Sequence, residues 1–375
     1  MLSRMKALEV VFIISSWDRG EVAQAIVDAG LRWRKAAIGY LGFAKPAWLL
    51  KNIFYMPLTN ARIVCYHLVE QPKAYVFAEP LCLINAIFAF LLIRVFSSTR
   101  FVFYLGDIGG GTVVQRFIKR VALSLADVVI VNSEAVRQGI RVQGLQNVDI
   151  KVVYNGVELP RFQSATAIPR TTWVDWNDHH FVFGYVGQLK QNKGIEDFLD
   201  AARLVSTQDP NSRFLVVGGC PQGSEYPGKL RDKYVDLGSR LSFVEYTTTI
   251  EAYYRTMDCV IVPSRYQDPA PNVNLEAMAS GLPVIATNMG GSPELIADDT
   301  TGYLVSPHDP AELAKRMLQF SLNSELAKRF GEAGLQRCCE KFDVEKNSQT
   351  VQALILGIDV QGQATTKTAA FPITS

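Results

Sequence analysis

Short β-branched and aromatic runs alternate with segments of helical period along most of the chain, and this alternation constrains the fold more than any other feature. A strand feeding a helix that returns to a parallel neighbour buries such a pattern on both faces, so an α/β chain built from βαβ units is expected. In the first half, strands are expected at Val10–Ile14, Arg62–Tyr66, Tyr75–Phe77, Phe101–Leu105, Val128–Val131 and Ile150–Val153. Helices over Glu21–Trp33, Leu81–Val95, Thr112–Ser124 and Glu134–Val142 separate them, and residues 34–60 follow neither period cleanly. The second half is more regular, with strands at Phe181–Val186, Arg213–Val217, Leu241–Glu245, Val260–Val262, Val284–Ala286 and Tyr303–Val305. Its first helix places Ile195, Phe198, Leu199, Ala202 and Val205 on one stripe.

A chain of 375 residues exceeds what one core ordinarily holds, so two domains are expected. Arg161–His180 is polar, poorly periodic and contains Pro169, which places the linker there. The expected division is an N-terminal domain over 1–165, a C-terminal domain over 166–341 and a helix over 342–357 that returns to the first domain. The tail, 358–375, has too few large apolar residues to fold.

The 38 basic and 36 acidic residues nearly cancel, leaving no electrostatic footprint for nucleic acid. Six cysteines without a CxxC pair read as reduced thiols, and Cys338 and Cys339 as small buried residues on a helix. Val10–Ile14 is too short for the apolar core of a secretory signal, so the cytoplasm is expected. Leu81–Ile93 is apolar except for Asn85, but falls short of the roughly 20 residues that a membrane span needs. A fully buried helix is the expectation. Trp33, Trp48, Phe54 and Tyr55 lie in an apolar region that could form an exposed patch, which leaves peripheral association with the inner membrane surface open.

The residues that could carry chemistry cluster in the second half. A strand ends in Gly187-Gln-Leu-Lys-Gln-Asn-Lys193-Gly194 and a helix begins. Such a turn can present backbone N–H groups and a helix N-terminus to a phosphate, with Lys193 adding a point charge; plain turn chemistry and a solvated lysine are the alternative. A later strand ends in Pro263-Ser264 and leads through SRYQDPAPN into a helix carrying Glu276. Asp268 on the loop and Glu276 in the helix could accept hydroxyls from the two ends of one extended ligand, as a nucleotide sugar requires. Glu276 sits in a nearly all-apolar helix, where an unpaired carboxylate is costly. Asp268 precedes a proline and could equally be a turn residue.

The segments GQLKQNKGIEDFLDAA, DCVIVPSRYQDPAPNVNLEAMASGLPVIAT, GGSPELI and TGYLVSPHDPAELA resemble the large retaining GT-B glycosyltransferase family, family four. The resemblance spans residues 100–357 and is strongest over 181–320. It implies two doubly wound Rossmann-like domains facing each other across a cleft, with the donor bound by the second and the acceptor by the first. The family's pair of glutamates eight positions apart maps onto Asp268, which would bind the transferred sugar, and Glu276, which would hold the ribose. Asn272 and Val273 would offer backbone N–H groups to the donor, and Ser264 is counted with them. The Arg and Lys that grip the diphosphate correspond to Gln188 and Lys193, beside the Gly187 turn. Gln188 removes a permanent charge there.

In the first half, ADVVIVNSEAVRQGI and VVYNGVELPRF resemble the end of the acceptor domain. Gly20, in Trp17-Asp18-Arg19-Gly20, could let the backbone approach the donor phosphate or be a turn glycine. Asp107 follows a strand where many members carry His-Asp, and this chain has Gly106-Asp107; it is the acceptor-side catalytic candidate, with helix capping as its alternative. Tyr246 lies where the fold places the nucleotide base and could stack on it or pack at the edge of the core. Lys193, Asp268 and Asp107 are thus the catalytic candidates. The resemblance implies a nucleotide diphosphate sugar, UDP-linked, as co-substrate, and a glycan or lipid-linked saccharide as acceptor. No DxD motif is present, and metal-independent chemistry without a cofactor is expected.

Overall fold

The computed structural model describes residues 11–15, 32–36, 47–78, 86–107, 113–220 and 223–358, with the side chains of 11–15, 32–36, 47–55, 114 and 115 excepted. The chain divides into two compact units, one of Met1–Asn132, Val136–Val153 and Glu345–Ser375, the other of Ser133–Ala135 and Tyr154–Val344.

In the first unit, β1 (Val11–Ser15) and β2 (Arg32–Ala36) pair in parallel, and β3 (Ala74–Phe77), β4 (Arg100–Leu105), β5 (Val128–Val131) and β6 (Ile150–Val152) form a parallel sheet in sequence order. Among the described residues, the helices α1 (Ala47–Glu70), α2 (Ile87–Phe96), α3 (Val113–Ser124) and α4 (Glu134–Val142) connect them. Strand alternation sorts the core. Phe101 and Phe103 point to the face covered by Phe90, Ile93, Leu123 and Ile140, while Val102, Val128 and Ile130 meet Val351 and Ile355 of a helix from the end of the chain. The Arg100 guanidinium donates to the Leu354 carbonyl at 3.3 Å on the same side.

The second unit continues with α5 (Leu159–Gln163), β7 (Phe181–Val186), α6 (Ile195–Ser206), β8 (Ser212–Val217), α7 (Tyr226–Lys233), β9 (Leu241–Val244), α8 (Ile250–Tyr254) and β10 (Cys259–Val262). Then follow α9 (Asn272–Ala279), β11 (Val284–Thr287), α10 (Ser292–Leu295), β12 (Gly302–Val305), α11 (Pro310–Ser321) and α12 (Ser324–Lys341), with α13 (Val344–Leu356) belonging mostly to the first unit. The six strands are parallel in the order β12-β11-β10-β7-β8-β9. The chain winds outward from β7 through β9, returns to place β10 against the other side of β7, and winds outward again. At that reversal the connections after β7 and β10 leave for opposite faces, which opens a crevice beyond the strands' carboxyl ends. Alternate residues feed two cores. Phe183, Phe214 and Ile261 pack under α6 and α11, and Val182, Leu215 and Val260 under α9 and the end of α12. The α6 stripe is fully buried, each large side chain contributing about 1.5–3 kcal/mol.

Several expectations are corrected. Arg62–Tyr66 is helical, inside the 24-residue α1. Thr59 and Ile63, one turn apart, are buried, so packing overrides the β propensity of the run. Arg32 and Trp33, expected to end a helix, lie in β2, whose register with β1 decides their state; residues 21–31 lie outside the described residues. α2 is not fully buried: Ala89, Phe90 and Ile93 face the core, while Phe88, Val95 and Phe96 are exposed. Residues 161–180 are not a free linker, because Trp176 is buried in the second unit's core and its indole donates to the Ser239 carbonyl at 2.6 Å. Cys338 is buried as expected, but Cys339, one residue round the helix, is exposed. No helix among the described residues is long and apolar enough to cross a membrane. The tail beyond Ile358 lies outside the described residues.

Candidate functional site

The second unit gathers its polar chemistry where β7 and β10 end. After β7 the chain turns through Gly187 and a short 3-10 turn, Gln191–Lys193, into α6; after β10 it runs through Pro263–Pro271 into α9. The two loops are held against each other. Arg265 N–H donates to the Asn192 carbonyl at 2.9 Å, and its guanidinium grips the buried Asp197 carboxylate in the first turn of α6 at 2.8 and 2.6 Å. Gly194 has a left-handed backbone, φ 72°, and a Cβ there would overlap the Pro263 carbonyl, so close approach requires glycine. The β11 loop closes the other side: Gly291 N–H donates to the Asp268 carbonyl and Gly290 N–H to the Gln267 side chain, both at 2.8 Å.

This scaffold brings Lys193 and Asp268 together. The ammonium donates to Asp268 Oδ2 and to Tyr266 Oη, each at 2.7 Å, and lies 4.8 Å from the centre of the Tyr266 ring. Both members of the pair are partly buried. Burial alone would favour the neutral amine, but hydrogen bonds to Asp268 and Tyr266 and attraction to Asp268 outweigh it and hold Lys193 above the ordinary lysine value. A fixed, fully charged cation therefore stands at the crevice. The Tyr266 phenol is raised by burial, with Lys193 opposing and Asp268 reinforcing the shift, so it stays protonated.

Glu276 lies one turn inside α9. Its Oε2 accepts from the Tyr254 hydroxyl at 2.8 Å. Desolvation raises its pKa, the Tyr254 bond and the Arg161 guanidinium pull it back down, and Glu251 pushes it up again. Arg161 is itself tied to Glu251 at 2.7 Å.

The remaining candidates fall into place singly. Gly187 N–H is taken by the Val217 carbonyl, and the Gln188 side chain is exposed while its carbonyl accepts from Tyr185 Oη. Ser264 is buried, its carbonyl accepting from Thr287. Asn272, exposed at the start of α9, accepts through Oδ1 from the Asn155 side chain at 2.8 Å, and Val273 beside it is half-buried. Tyr246, beyond the edge strand β9, is 79% exposed, which rules out the packed-edge alternative. Asp107 is exposed after β4 in the first unit. Gly20 lies outside the described residues. Sequence reasoning missed Tyr266 and Tyr254: the first stands inside the SRYQDPAPN loop beside Asp268, while the second is 22 positions from its partner and carries no local signal.

Residues 174–337 match the family described as Glycosyl transferases group 1. Alpha-maltose-1-phosphate synthase of Mycolicibacterium smegmatis is 28% identical over 63% of this chain and 64% of its own length. D-inositol 3-phosphate glycosyltransferase of Corynebacterium efficiens is 34% identical over 42% of this chain and 38% of its own. The chain thus spans less than two thirds of the length of these curated relatives. Among solved structures, HepE of Anabaena in complex with UDP superposes with a TM-score of 0.77 at 21% identity, covering 92% of each chain. A glycosyltransferase from Rickettsia africae does so with 0.78 at 17%, covering 94% of this chain and 92% of that one. These likenesses establish the fold as α/β, of the GT-B kind.

Proposed function

We propose that the protein is a retaining glycosyltransferase that moves a sugar from a nucleotide diphosphate donor, a UDP-sugar, to a glycan or lipid-linked saccharide. The observation that carries this reading is Lys193, held charged at 2.7 Å from Asp268 where the winding of a six-stranded parallel sheet reverses. A cation between two loops at that point suits the diphosphate, and the carboxylate beside it suits the hydroxyls of the sugar attached to the diphosphate. Glu276, presented by the same loop and helix, accepts the ribose hydroxyls. The group 1 match over 174–337 and the likeness to a fold that holds UDP in HepE support the donor class.

In the reaction the bond from the anomeric carbon to the diphosphate oxygen breaks and a bond to the acceptor oxygen forms on the same face. The acceptor's proton passes to an oxygen of the departing diphosphate. Lys193 and backbone N–H groups at the start of α9 meet the charge that builds on the leaving group, and a donor already oriented there lowers the barrier without reorganising. Asp268 orients both the lysine and the sugar. Asp107 is assigned to the acceptor side, and Gly187, Gln188, Ser264, Asn272, Val273 and Tyr246 to the donor.

The test is a thermal-shift screen of nucleotide sugars followed by incubation of the best binder with and without glycan and lipid extracts. A ligand at 100 times its dissociation constant adds about 2.7 kcal/mol of stability. Acceptor-dependent release of UDP with an α-linked product from an α-linked donor is expected. Interconversion of the donor without acceptor would mark an epimerase instead, and binding without turnover a non-catalytic module.

A further inference from the structure

Among the described residues, the two helices that follow β3 and β4 each leave apolar side chains exposed. Both connect adjacent parallel strands in the same direction and bury residues in one core, Ala89, Phe90 and Ile93 from α2 and Ala122 and Leu123 from α3, so they lie on the same side of the sheet. Opposite its buried stripe, α2 exposes Phe88 (63%), Leu91, Leu92, Val95 and Phe96 (81%). The spacing of these residues puts them on one face, making α2 apolar all round. On α3, Val113, Phe117 and Val121 are exposed at intervals of four, with the exposed Arg116 and Arg120 interleaved. Neither helix contains an Asp or Glu; Arg94 of α2 is paired with Asp127 at 2.7 Å, and α3 carries Arg116, Lys119 and Arg120.

We propose that this face docks the protein on the surface of a bilayer with anionic headgroups, both helices lying in the plane of the interface. Their 10 and 12 residues span about 15 and 18 Å, half a hydrocarbon core of roughly 30 Å, so they cannot cross it. Large apolar side chains flanked by cations match an interface whose acyl boundary lies under negative headgroups. A second copy of the chain is a poorer occupant: a two-fold pairing of this face would set Arg116 and Arg120 against the same cations with no carboxylate on either helix to meet them. The inference is independent of the donor chemistry, since it rests on exposure and charge in the first unit alone.

Vesicle flotation of the full chain tests it. With equimolar phosphatidylcholine and phosphatidylglycerol the protein is expected to float, with phosphatidylcholine alone it is expected to sediment, and added salt should release it. Phe88→Ser combined with Phe117→Ser should lower the bound fraction roughly tenfold or more. Arg116→Glu, an exposed change that leaves the core intact, should weaken binding by a similar factor and carries the test should the double variant misfold. Failure of the parent chain to float, equal binding to both vesicle types, or flotation untouched by these substitutions overturns the proposal. So does a dimer in solution that the double variant converts to monomer while vesicles are ignored.

Discussion

The Tyr254 hydroxyl donates to Glu276 Oε2 at 2.8 Å, so a fully buried phenol on α8 sets the orientation of the carboxylate one turn inside α9. The phenol is raised well above its ordinary value, first by burial and then by Glu276, and always arrives as a donor. Desolvation pushes Glu276 up, Tyr254 and Arg161 hold it down, and Glu251 adds to the rise. The other carboxylate oxygen can accept the ribose hydroxyls when Glu276 is ionised. UDP affinity should therefore fall as pH drops through a midpoint above the ordinary glutamate value. Tyr254→Phe removes the bond that favours the charged form, so the midpoint should move to higher pH. Calorimetric titration of both proteins across pH checks this, and an unmoved midpoint would separate Glu276 from the ribose. Glu276→Gln should weaken UDP by about 1.5–3 kcal/mol without lowering the melting temperature, since it removes a desolvated charge.

For Lys193→Ala a loss in kcat of about 10²–10³ is expected, because the contact strengthens as charge leaves with the diphosphate. Lys193 sits above its ordinary value, so its charge, and the stability of its pair with Asp268, is complete at neutral pH. The lysine's charge, and with it the pair, is lost as pH rises through that elevated value. A kcat within a few-fold of the parent enzyme would remove the residue from the mechanism.

The exposed Gln188 side chain stands where the family resemblance places an arginine. Gln188→Arg supplies a permanent cation at that position and should tighten UDP binding by about 1.5–3 kcal/mol, with a steeper dependence on salt. Unchanged affinity and salt dependence would place the position away from the phosphates.

Gly194→Ala forces a side chain into the left-handed region, at about 1–2 kcal/mol, and onto the Pro263 carbonyl. Loss of at least that much stability, with UDP affinity falling in parallel as the β7 and β10 loops separate, is the expected result. Denaturant titration gives the first and calorimetry the second. An alanine variant as stable as the parent would mean that the two loops are not locked together there.

Where the two periodicities were clean, the elements were legible. The β7 and α6 boundaries follow from PheValPheGlyTyrVal and the stripe Ile195, Phe198, Leu199, Ala202, because core-facing positions repeat at two residues in a strand and at three or four in a helix. α1 was not, since Pro57 stands inside the helix and normally signals a terminus, and Arg62–Tyr66 has strand composition. Trp176 was hidden for the opposite reason: a single aromatic in a polar stretch carries no period, yet it fills a core.

From residue order alone came the α/β class and the candidates Lys193, Asp268 and Glu276, because local pattern and residue chemistry are properties of neighbours along the chain. Tertiary structure alone decided that Lys193 reaches Asp268 across 75 positions, that Tyr266 completes that contact, that Tyr254 steers Glu276, and that one face of α2 is left exposed. Each depends on the order in which strands join the sheet, which brings distant loops to one edge and which no local window encodes.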